Sequence, residues 1–310
     1  MTLRATFLGT SGAVPTTRRA PSAVMVNREG ERFLFDCGEG TQRQMMRFNT
    51  GFDVEHLFLT HLHGDHILGI PGLLQTWDFQ DRTDALSIHA PPGSRRKLRD
   101  LITAAGHDTA FPVRINEVTP GTVALDGEAF EIRAFETEHR TTSQGYALLE
   151  DDRKGRFNRE KAEEELDIPP GPAYGKLHAG EPVELDDGRV IQPEQVVGDP
   201  RPGRSLVYTG DTRPVEAIVE IADEPELLIH DATFDDEMAD RARSTGHSTA
   251  REAGEIASRA GAKRLALTHI SSRYPGDARE HEHEAAGAFD GDCFVAEDGQ
   301  TVEIPFPDTE

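Results

Sequence analysis

Short apolar runs alternate with amphipathic stretches along most of this chain. The apolar runs, bounded by turn-forming residues, predict strands at 3–8, 23–26, 32–36, 56–59, 86–89, 130–135, 205–208, 227–230, 264–267 and 293–296. Spacings of three and four residues predict helices at 41–48, 66–77, 95–105, 215–222 and 250–260. Because strands and helices alternate in both halves of the chain, the pattern predicts an α/β fold with layered sheets.

Residues 150–203 interrupt this alternation. A mixed, highly charged stretch at 150–161 precedes a short helical pattern and then the run Ile-Pro-Pro-Gly-Pro-Ala-Tyr-Gly-Lys at 168–176. Proline and glycine at this density are not expected to continue a helix or to fill a central strand. The segment therefore predicts an excursion from the core, with a plain interdomain linker as the alternative.

The composition adds a strong negative charge to this picture. The 310 residues include 56 acidic and 33 basic side chains, a formal charge of -23, and only five of the basic residues are lysines. Since salt screens the self-repulsion of such a chain, the balance predicts a protein adapted to a saline cytoplasm. An ordinary acidic enzyme is the alternative.

The N-terminal residues form a predicted strand rather than an apolar leader, and no apolar run reaches membrane-spanning length. These features predict a cytoplasmic protein without a membrane segment. The two cysteines, Cys37 and Cys293, are too few and too far apart for a disulfide framework, so small buried thiols are expected.

Residues 61–66 carry the strongest chemical signal, in the order His-Leu-His-Gly-Asp-His. A predicted strand precedes them and a predicted helix follows. A loop at this point can turn His61 and His63 toward one divalent ion, and Asp65 and His66 toward a second. Two such ions support an in-line displacement at phosphorus, so the motif predicts a hydrolytic metal centre.

Further ligands are expected at the ends of other predicted strands. His139, Asp211 and His269 follow the strands at 130–135, 205–208 and 264–267. Rigid sheets commonly position catalytic side chains on such loops. A set of imidazoles and carboxylates without thiolate suits Zn²⁺ or Mn²⁺.

The remaining histidines test this reasoning, because an isolated histidine is more often a surface or core residue than a ligand. Two of them lie in a polar helical stretch and are predicted to be solvated: His281 and His283. Four others lack supporting neighbours and are given no functional role: His56, His89, His107 and His178.

The chain resembles ribonuclease Z, the tRNA 3′-processing endonuclease of the metallo-β-lactamase superfamily. The matching segments are 7–12, 14–18, 35–42, 61–74, 168–172, 210–212, 230–233, 246–249 and 268–274. The motif at 61–66 is common to the whole superfamily, whereas Pro-Pro-Gly-Pro, Gly-His-Ser-Thr and His-Ile-Ser-Ser-Arg-Tyr are more specific. One departure is Ala20, where the family often has asparagine.

The resemblance implies a four-layer αββα sandwich, with residues 1–310 as a single domain and a flexible tRNA-binding arm inserted at 150–180. It also implies two zinc ions per subunit, with manganese as the alternative. One zinc is assigned to His61, His63 and His139, and the other to Asp65, His66 and His269. Asp211 is implied to bridge both ions, which suits a carboxylate because it has two oxygens.

The implied reaction removes the 3′ trailer from precursor tRNA and leaves a 3′-hydroxyl on the tRNA and a 5′-phosphate on the trailer. Asp65 is implied to orient or deprotonate the nucleophile. A capping box at Thr249 and Glu252 predicts a helix N-terminus just after His247, where backbone N–H groups favour a phosphate. His247 is then placed to protonate the departing oxygen; a loop histidine that helps to cap the helix is the alternative.

A chain with a net charge of -23 should repel a polyanionic substrate such as tRNA, and the implied arm would offset this repulsion. In the family the arm grips the tRNA elbow and acts across a homodimer. Its candidate contacts here are Arg153, Lys154, Arg156, Gly171 and Pro172. The competing functions are a general phosphodiesterase or exonuclease of the same superfamily, a glyoxalase-like thioester hydrolase, and a non-catalytic metal- or RNA-binding protein.

Overall fold

The computed structural model describes residues 2–104, 109–221, 223–274, 276 and 278–307. His107 therefore lies outside the described residues. The chain forms two compact units: Met1–Leu149 with Arg204–Pro305, and Glu150–Gly203 with Phe306–Glu310. The arm predicted at 150–180 falls within the second unit, whose first segment extends to Gly203.

The strands, in chain order, are β1 (Leu3–Gly9), β2 (Ser11–Gly12), β3 (Ala23–Arg28), β4 (Glu31–Phe35), β5 (His56–Phe58), β6 (Leu86–Ala90), β7 (Val113–Glu117), β8 (Val123–Gly127), β9 (Phe130–Glu136), β10 (Gln144–Glu150), β11 (Val183–Glu184), β12 (Val190–Ile191), β13 (Ser205–Tyr208), β14 (Leu227–Asp231), β15 (Arg264–Thr268), β16 (Ile270–Ser271), β17 (Asp292–Val295) and β18 (Thr301–Glu303).

The α-helices are α1 (Thr41–Phe48), α2 (Gly64–Ile67), α3 (Ile70–Phe79), α4 (Arg95–Thr103), α5 (Pro172–Ala179), α6 (Glu216–Ile221), α7 (Ala239–Thr245), α8 (Ala250–Arg259) and α9 (Arg279–Ala286). The predicted capping box is present, because the Thr249 hydroxyl accepts the backbone N–H of Glu252 and the Glu252 side chain accepts that of Thr249.

Two seven-stranded sheets form the first unit, in the orders β18-β1-β3-β4-β5-β6-β7 and β17-β15-β14-β13-β10-β9-β8. Aromatic and aliphatic side chains of both sheets share one buried core, with Phe35 and Phe58 facing Tyr146 and Tyr208. A second core lies between the first sheet and helices α1, α3 and α4, and a third between the other sheet and helices α6, α8 and α9. The predicted four-layer αββα arrangement is confirmed.

The sheet topology brings the candidate loops to one edge. Strands β4, β5 and β6 are parallel neighbours, as are β13, β14 and β15. Because parallel strands end at the same edge of a sheet, the loops that follow them lie side by side. The segments that begin at Asp36 and Thr60 therefore lie side by side at the end of the first sheet, and those that begin at Thr209 and His269 lie together at the end of the second.

One predicted helix is divided in the structure. The pattern at 66–77 becomes α2 and α3, which are separated at Leu68 and Gly69. Gly69 donates its N–H to the carbonyl of Cys37, and a Cβ at Gly69 would lie 2.1 Å from the carbonyl oxygen of Gly38. Pro71 then lies in the first turn of α3, where a proline is tolerated because its N–H is not required.

The second unit has its own small core, formed by Ala162, Ile168, Leu177, Ile191 and Val196. It contains the β11–β12 hairpin, α5 and a π-helical turn at Lys161–Glu165. The expectation that residues 168–176 would not be helical was wrong for their second half. Helix α5 begins at Pro172, with Gly171 at its N-cap, because a proline fits the first turn without loss of a hydrogen bond.

The structure contradicts the prediction that His281 is solvated. His281 is fully buried rather than solvated, and its ring packs edge-on against Tyr274 with centroids 4.5 Å apart. Burial lowers the pKa of His281 to about 4.

Both cysteines are free thiols, and Cys37 is fully buried. Among the described residues no helix combines the length and the apolar character that crossing a bilayer requires.

Candidate active site

The seven predicted ligands come from four separate segments of the chain and meet at the strand-end edge. His61 and His63 lie between β5 and α2, and Asp65 and His66 lie on α2. His139 follows β9, Asp211 follows β13, and His269 separates β15 from β16. Their donor atoms form two groups in which every atom lies within 4.8 Å of the others: His61, His63, His139 and Asp211; and Asp65, His66, Asp211 and His269.

The first group gathers around Oδ2 of Asp211. This oxygen lies 3.6 Å from Nε2 of His61 and 3.8 Å from Nε2 of His139. Nδ1 of His63 lies 3.0 Å from Nε2 of His61 and 3.2 Å from Nε2 of His139. The three imidazoles therefore present one nitrogen each to a common point beside this oxygen.

The second group gathers around Oδ1 of the same carboxylate. Nε2 of His66 and Nε2 of His269 each lie 3.2 Å from Asp211 Oδ1. Oδ2 of Asp65 lies 3.2 Å from Nε2 of His269 and 3.6 Å from Nε2 of His66. The two oxygens of Asp211 thus serve different groups, which is the geometry a bridging ligand requires.

The buried atoms of this cluster fit a metal. Nε2 of His66 and Oδ1 of Asp211 are buried without a hydrogen-bond partner among the described residues. Such atoms cost free energy unless something satisfies them. Donor atoms bonded to one tetrahedral Zn²⁺ at 2.0–2.1 Å are about 3.3 Å apart, and the separations here are 3.0–3.8 Å. The donor set is therefore able to bind metal.

Hydrogen bonds on the far side of three rings fix which nitrogen faces the cluster. Nδ1 of His61 meets the Thr60 hydroxyl at 3.1 Å, and Nδ1 of His269 meets the Thr233 hydroxyl at 2.8 Å. Nδ1 of His139 lies 2.6 Å from the carbonyl oxygen of Gly246. An N–H on these Nδ1 atoms leaves each Nε2 as a lone pair for an ion, the usual support of metal-binding histidines.

Asp36 gives the same support to His66 and was missed from the sequence. Its Oδ2 lies 2.7 Å from Nδ1 of His66 and accepts the Tyr208 hydroxyl at 2.9 Å. Its Oδ1 accepts the backbone N–H of Thr60 at 2.9 Å. Asp36 is fully buried and lies just after β4, so the only available signal was a carboxylate at the end of a predicted buried strand.

The electrostatics keep His61 neutral and Asp211 ionised, whereas the charges of Asp211 and Asp36 outweigh burial and hold the pKa of His66 well above its usual range. Burial and the neighbouring His66 hold the pKa of His61 well below its usual range. Burial alone would raise the pKa of Asp211, but its electrostatic interactions with His269, His66 and His61 hold it well below the usual range. A neutral imidazole and an ionised carboxylate are the forms that coordinate metal.

Two ligand segments adopt backbone conformations that few residues tolerate. His269 has a φ of 62°, in the left-handed region. Gly210, directly before Asp211, has a φ of 60°, and a Cβ there would lie 2.6 Å from Thr60. Backbone strain of this kind persists only where the surroundings impose it, and it is common at functional sites.

His247 lies beside the cluster and is held by a carboxylate that sequence reasoning also missed. Its Nδ1 lies 2.8 Å from Oδ2 of Asp231 and 3.1 Å from the Thr233 hydroxyl. Asp231 is saturated with further donors, including the backbone N–H groups of Thr212 and Thr233. Asp231 therefore positions His247 and leaves Nε2 of that ring available.

Burial opposes a charge on His247, but the charge of Asp231 and its hydrogen bond outweigh burial and raise the pKa of His247 to about 9. The ring lies 5.0 Å from that of His139 and 5.1 Å from that of His269, between centroids. A protonated imidazole next to the metal-binding group can act as a general acid.

An open cavity of about 650 Å³ gives access to this group of side chains. Its walls include several ligand side chains, His247 and part of the 13–21 loop. The lining residues are Ala13, Pro15, Pro21, Glu39, His63, Gly64, Asp65, Leu68, His139, Arg140, Asp211, Thr245, His247 and His269. Among the described residues that line this cavity, Arg140 is the only cation apart from the histidines.

Comparison with known proteins decides the family. Residues 16–269 match the model of the metallo-beta-lactamase superfamily. The chain is 64% identical over 310 residues to Ribonuclease Z of Halorubrum lacusprofundi, and the match covers 100% of each chain. The chain belongs to the ribonuclease Z family. Its resemblance to this family, stated from the sequence motifs, is confirmed.

Two further relatives agree. Ribonuclease Z of Haloferax volcanii is 64% identical over 310 residues, which are 100% of this chain and 98% of that protein. The crystal structure of the short form of human tRNase Z has a TM-score of 0.71 at 29% identity and covers 98% of this chain and 100% of that one. As a member of the ribonuclease Z family, the chain is a hydrolytic enzyme, a metal-dependent nuclease.

Proposed function

We propose that this protein is an endoribonuclease that removes the 3′ trailer from tRNA precursors and leaves a 3′-hydroxyl on the tRNA and a 5′-phosphate on the trailer. The observation that carries the proposal is the double donor group around Asp211, within a chain that matches proteins named Ribonuclease Z along its whole length. The name of the human relative, tRNase Z, supports tRNA as the substrate.

We infer that the site holds two zinc ions, with manganese as the alternative. His61, His63 and His139 would hold one ion, Asp65, His66 and His269 the other, and Asp211 both. Two divalent ions bound there would bring the pKa of a water molecule close to neutrality and offset the negative charge that develops on the phosphate.

Asp65 is proposed to orient the attacking water. Its Oδ2 accepts the backbone N–H of Ala13 at 2.8 Å, which holds the carboxylate in place. Within the described part of the chain, no hydrogen bond engages Oδ1 of Asp65, so this oxygen is free to accept a hydrogen bond from the water. The carboxylate lines the cavity that the substrate would enter.

His247 is proposed to protonate the departing 3′ oxygen of the tRNA. Asp231 holds its Nδ1, so the proton for transfer lies on Nε2. A pKa of about 9 keeps this ring protonated at neutral pH, as a general acid requires. The alternative of a loop histidine that caps α8 loses support, because the side chain of Thr249 caps that helix.

The position of the cut tests the function directly. A precursor tRNA with a labelled trailer is incubated with the protein and zinc, and both new ends are mapped to the nucleotide. We expect one cut directly after the discriminator nucleotide, a free 3′-hydroxyl on the tRNA, and no shortening from the trailer end. Stepwise shortening, or equal cleavage of any small phosphodiester without preference for folded tRNA, would instead indicate a general exonuclease or phosphodiesterase.

The second unit is proposed to act as the tRNA-binding arm of a homodimer. Arg153, Lys154 and Arg156 lie within four consecutive residues, and Arg153 lies over the ring of Phe306 at 3.7 Å from its centroid. Gly171 and Pro172, which begin α5, are the other candidate contacts. A cationic segment of this kind offers tRNA a local attraction on an otherwise anionic chain.

Neutralising this segment should weaken tRNA binding without harming the chemistry. We expect the triple variant Arg153→Gln, Lys154→Gln, Arg156→Gln to raise KM for precursor tRNA by about tenfold or more, because three phosphate contacts are lost. Its kcat on bis(p-nitrophenyl) phosphate should be unchanged. Unchanged tRNA affinity with normal activity on the small diester would contradict the role of the arm, and a monomer in light scattering would contradict the dimer.

The charge of -23 with five lysines supports a further proposal, that the protein works in a salt-rich cytoplasm. Molar salt screens the repulsion among its carboxylates.

A further inference from the structure

Helix α4 concentrates positive charge on a chain that is otherwise acidic. Four of its nine residues are cationic: Arg95, Arg96, Lys97 and Arg99. All four are exposed, and Arg114 on the neighbouring strand β7 is exposed as well. The carboxylates interspersed with these five cations are only Asp100 and Glu117. This α4–β7 surface is therefore a local exception to a net charge of -23.

Most of these cations are not engaged by carboxylates. The Nε of Arg95 lies 3.9 Å from Glu117, an exposed pair that contributes little. Arg96, Arg99 and Arg114 form no ion pair with any residue that the structure describes. Exposed guanidinium groups without partners repel one another and gain free energy when an anion binds between them.

A cleft makes this surface concave. It lies between α4 and β7, has a volume of about 470 Å³, and is lined by Arg95, Arg99 and Arg114 together with the apolar Ile102 and Ile115. β7 is the outermost strand of its sheet, so the cleft lies at the edge of that sheet. Cations above an apolar floor suit a chain of alternating phosphates and sugars.

The surface adjoins the candidate active site. Lys97 donates a hydrogen bond from Nζ to the carbonyl oxygen of Leu62 at 2.6 Å, and Leu62 lies between His61 and His63. β6, which leads to α4, is the parallel neighbour of β5, which leads to these ligands. Helix α4 therefore contacts the ligand loop through Lys97 on one side and lines the cleft through Arg95 and Arg99 on the other.

We propose that the α4–β7 surface binds the phosphate backbone of the single-stranded 3′ trailer of the substrate RNA. This inference rests on the proposed endonuclease function. The oxygen that leaves with the tRNA is the one that His247 is proposed to protonate, and the imidazole neighbours of His247 are His139 and His269. The RNA on the other side of the scissile phosphate is the trailer. Among the described residues the rings of His61 and His63, which flank Leu62, contact His139 but not His247, so we assign the trailer to the Leu62 side.

The choice of arginine agrees with this role. Four of the five cations are arginines, whose planar guanidinium groups form paired hydrogen bonds with phosphate oxygens. Such bonds depend on geometry as well as on charge. When salt screens the charges, an arginine therefore keeps more of its attraction for a phosphate than a lysine ammonium group does.

The experiment compares two precursors of the same tRNA, one with a single-nucleotide trailer and one with a long single-stranded trailer. The test variant is Arg95→Gln, Arg99→Gln, Arg114→Gln, and Lys97 is kept because it contacts the catalytic loop. The matched control, Arg4→Gln, Arg259→Gln, Lys263→Gln, removes the same charge from exposed residues elsewhere. Activity on bis(p-nitrophenyl) phosphate reports folding and an intact site.

For the test variant we expect kcat/KM on the long-trailer precursor to fall by about tenfold at low salt, with kcat unchanged. The slope of log kcat/KM against log salt should decrease by about two, at roughly 0.7 for each lost contact with a single strand. The single-nucleotide precursor and the control variant should behave like the parent.

Equal losses on both precursors would assign the surface to the tRNA body and overturn the proposal. No loss on either precursor would show that the surface does not bind RNA, and would overturn it as well. If the parent protein itself fails to cut the precursors, the proposed function has failed, an outcome distinct from the other two.

Discussion

Asp211→Ala is expected to abolish cleavage of precursor tRNA, with kcat reduced by roughly 10³-fold or more. The reason is its shared position: Oδ2 faces His61 and His139, and Oδ1 faces His66 and His269. Loss of the carboxylate removes a donor from both groups and leaves buried imidazoles to repel one another. Elemental analysis of the purified variant should show less than one bound ion per chain.

Asp126→Ala is the matched control, since Asp126 is an exposed aspartate on β8 outside the donor groups. It should retain both metal content and activity. An Asp211→Ala variant that binds as much metal as the parent and cuts at a comparable rate would refute the bridging role.

His247→Ala is expected to lower kcat on precursor tRNA by about 10²–10⁴-fold, the usual contribution of a general acid. The ribose oxygen that departs needs a proton, whereas p-nitrophenolate leaves without one. On bis(p-nitrophenyl) phosphate the same variant should therefore lose less than about tenfold. The measurement is the ratio of the two kcat values for parent and variant.

His283→Ala controls for the loss of an imidazole at an exposed position of α9 and should leave both rates unchanged. Asp231→Asn should also lower kcat on precursor tRNA more than on the small diester, but by a smaller factor than His247→Ala. The reason is that it removes the charge that holds His247 protonated. Equal losses on the two substrates for His247→Ala would assign this residue to metal binding or structure rather than to proton transfer.

The sequence was most informative where the chemistry is local. Four potential ligands between His61 and His66 have few structural uses, so the motif could be interpreted without the fold. His139, Asp211 and His269 could be proposed because each follows an apolar run that reads as a strand, and a layered sheet brings such ends together. The structure brings all seven side chains into the two donor groups.

The supporting residues could not be predicted in the same way. Asp36 and Asp231 act through contacts with His66 and His247, which are 30 and 16 residues away along the chain. Neither contact leaves a spacing pattern in the sequence. Each aspartate ends a buried strand, a position that is equally compatible with a turn.

The strands and helices also differ in how well the sequence predicted them. Most central strands were predicted to within one or two residues, but β10 was missed although most of it is buried, and β7 and β8 were missed because much of each is exposed. Helix α5 was missed because Pro172 was taken as a helix breaker, although a proline in the first turn is compatible with a helix. The division of 66–77 at Gly69 depends on its close approach to Gly38, a contact invisible in the sequence.

Metal content measured together with activity tests the central claim most directly. The protein is stripped with a chelator, titrated with Zn²⁺, and followed by elemental analysis and by cleavage of precursor tRNA. We expect no cleavage without metal, saturation at two ions per chain, and full activity only at that point. Full activity in the stripped protein, or saturation at a single ion, would contradict a binuclear site built around Asp211.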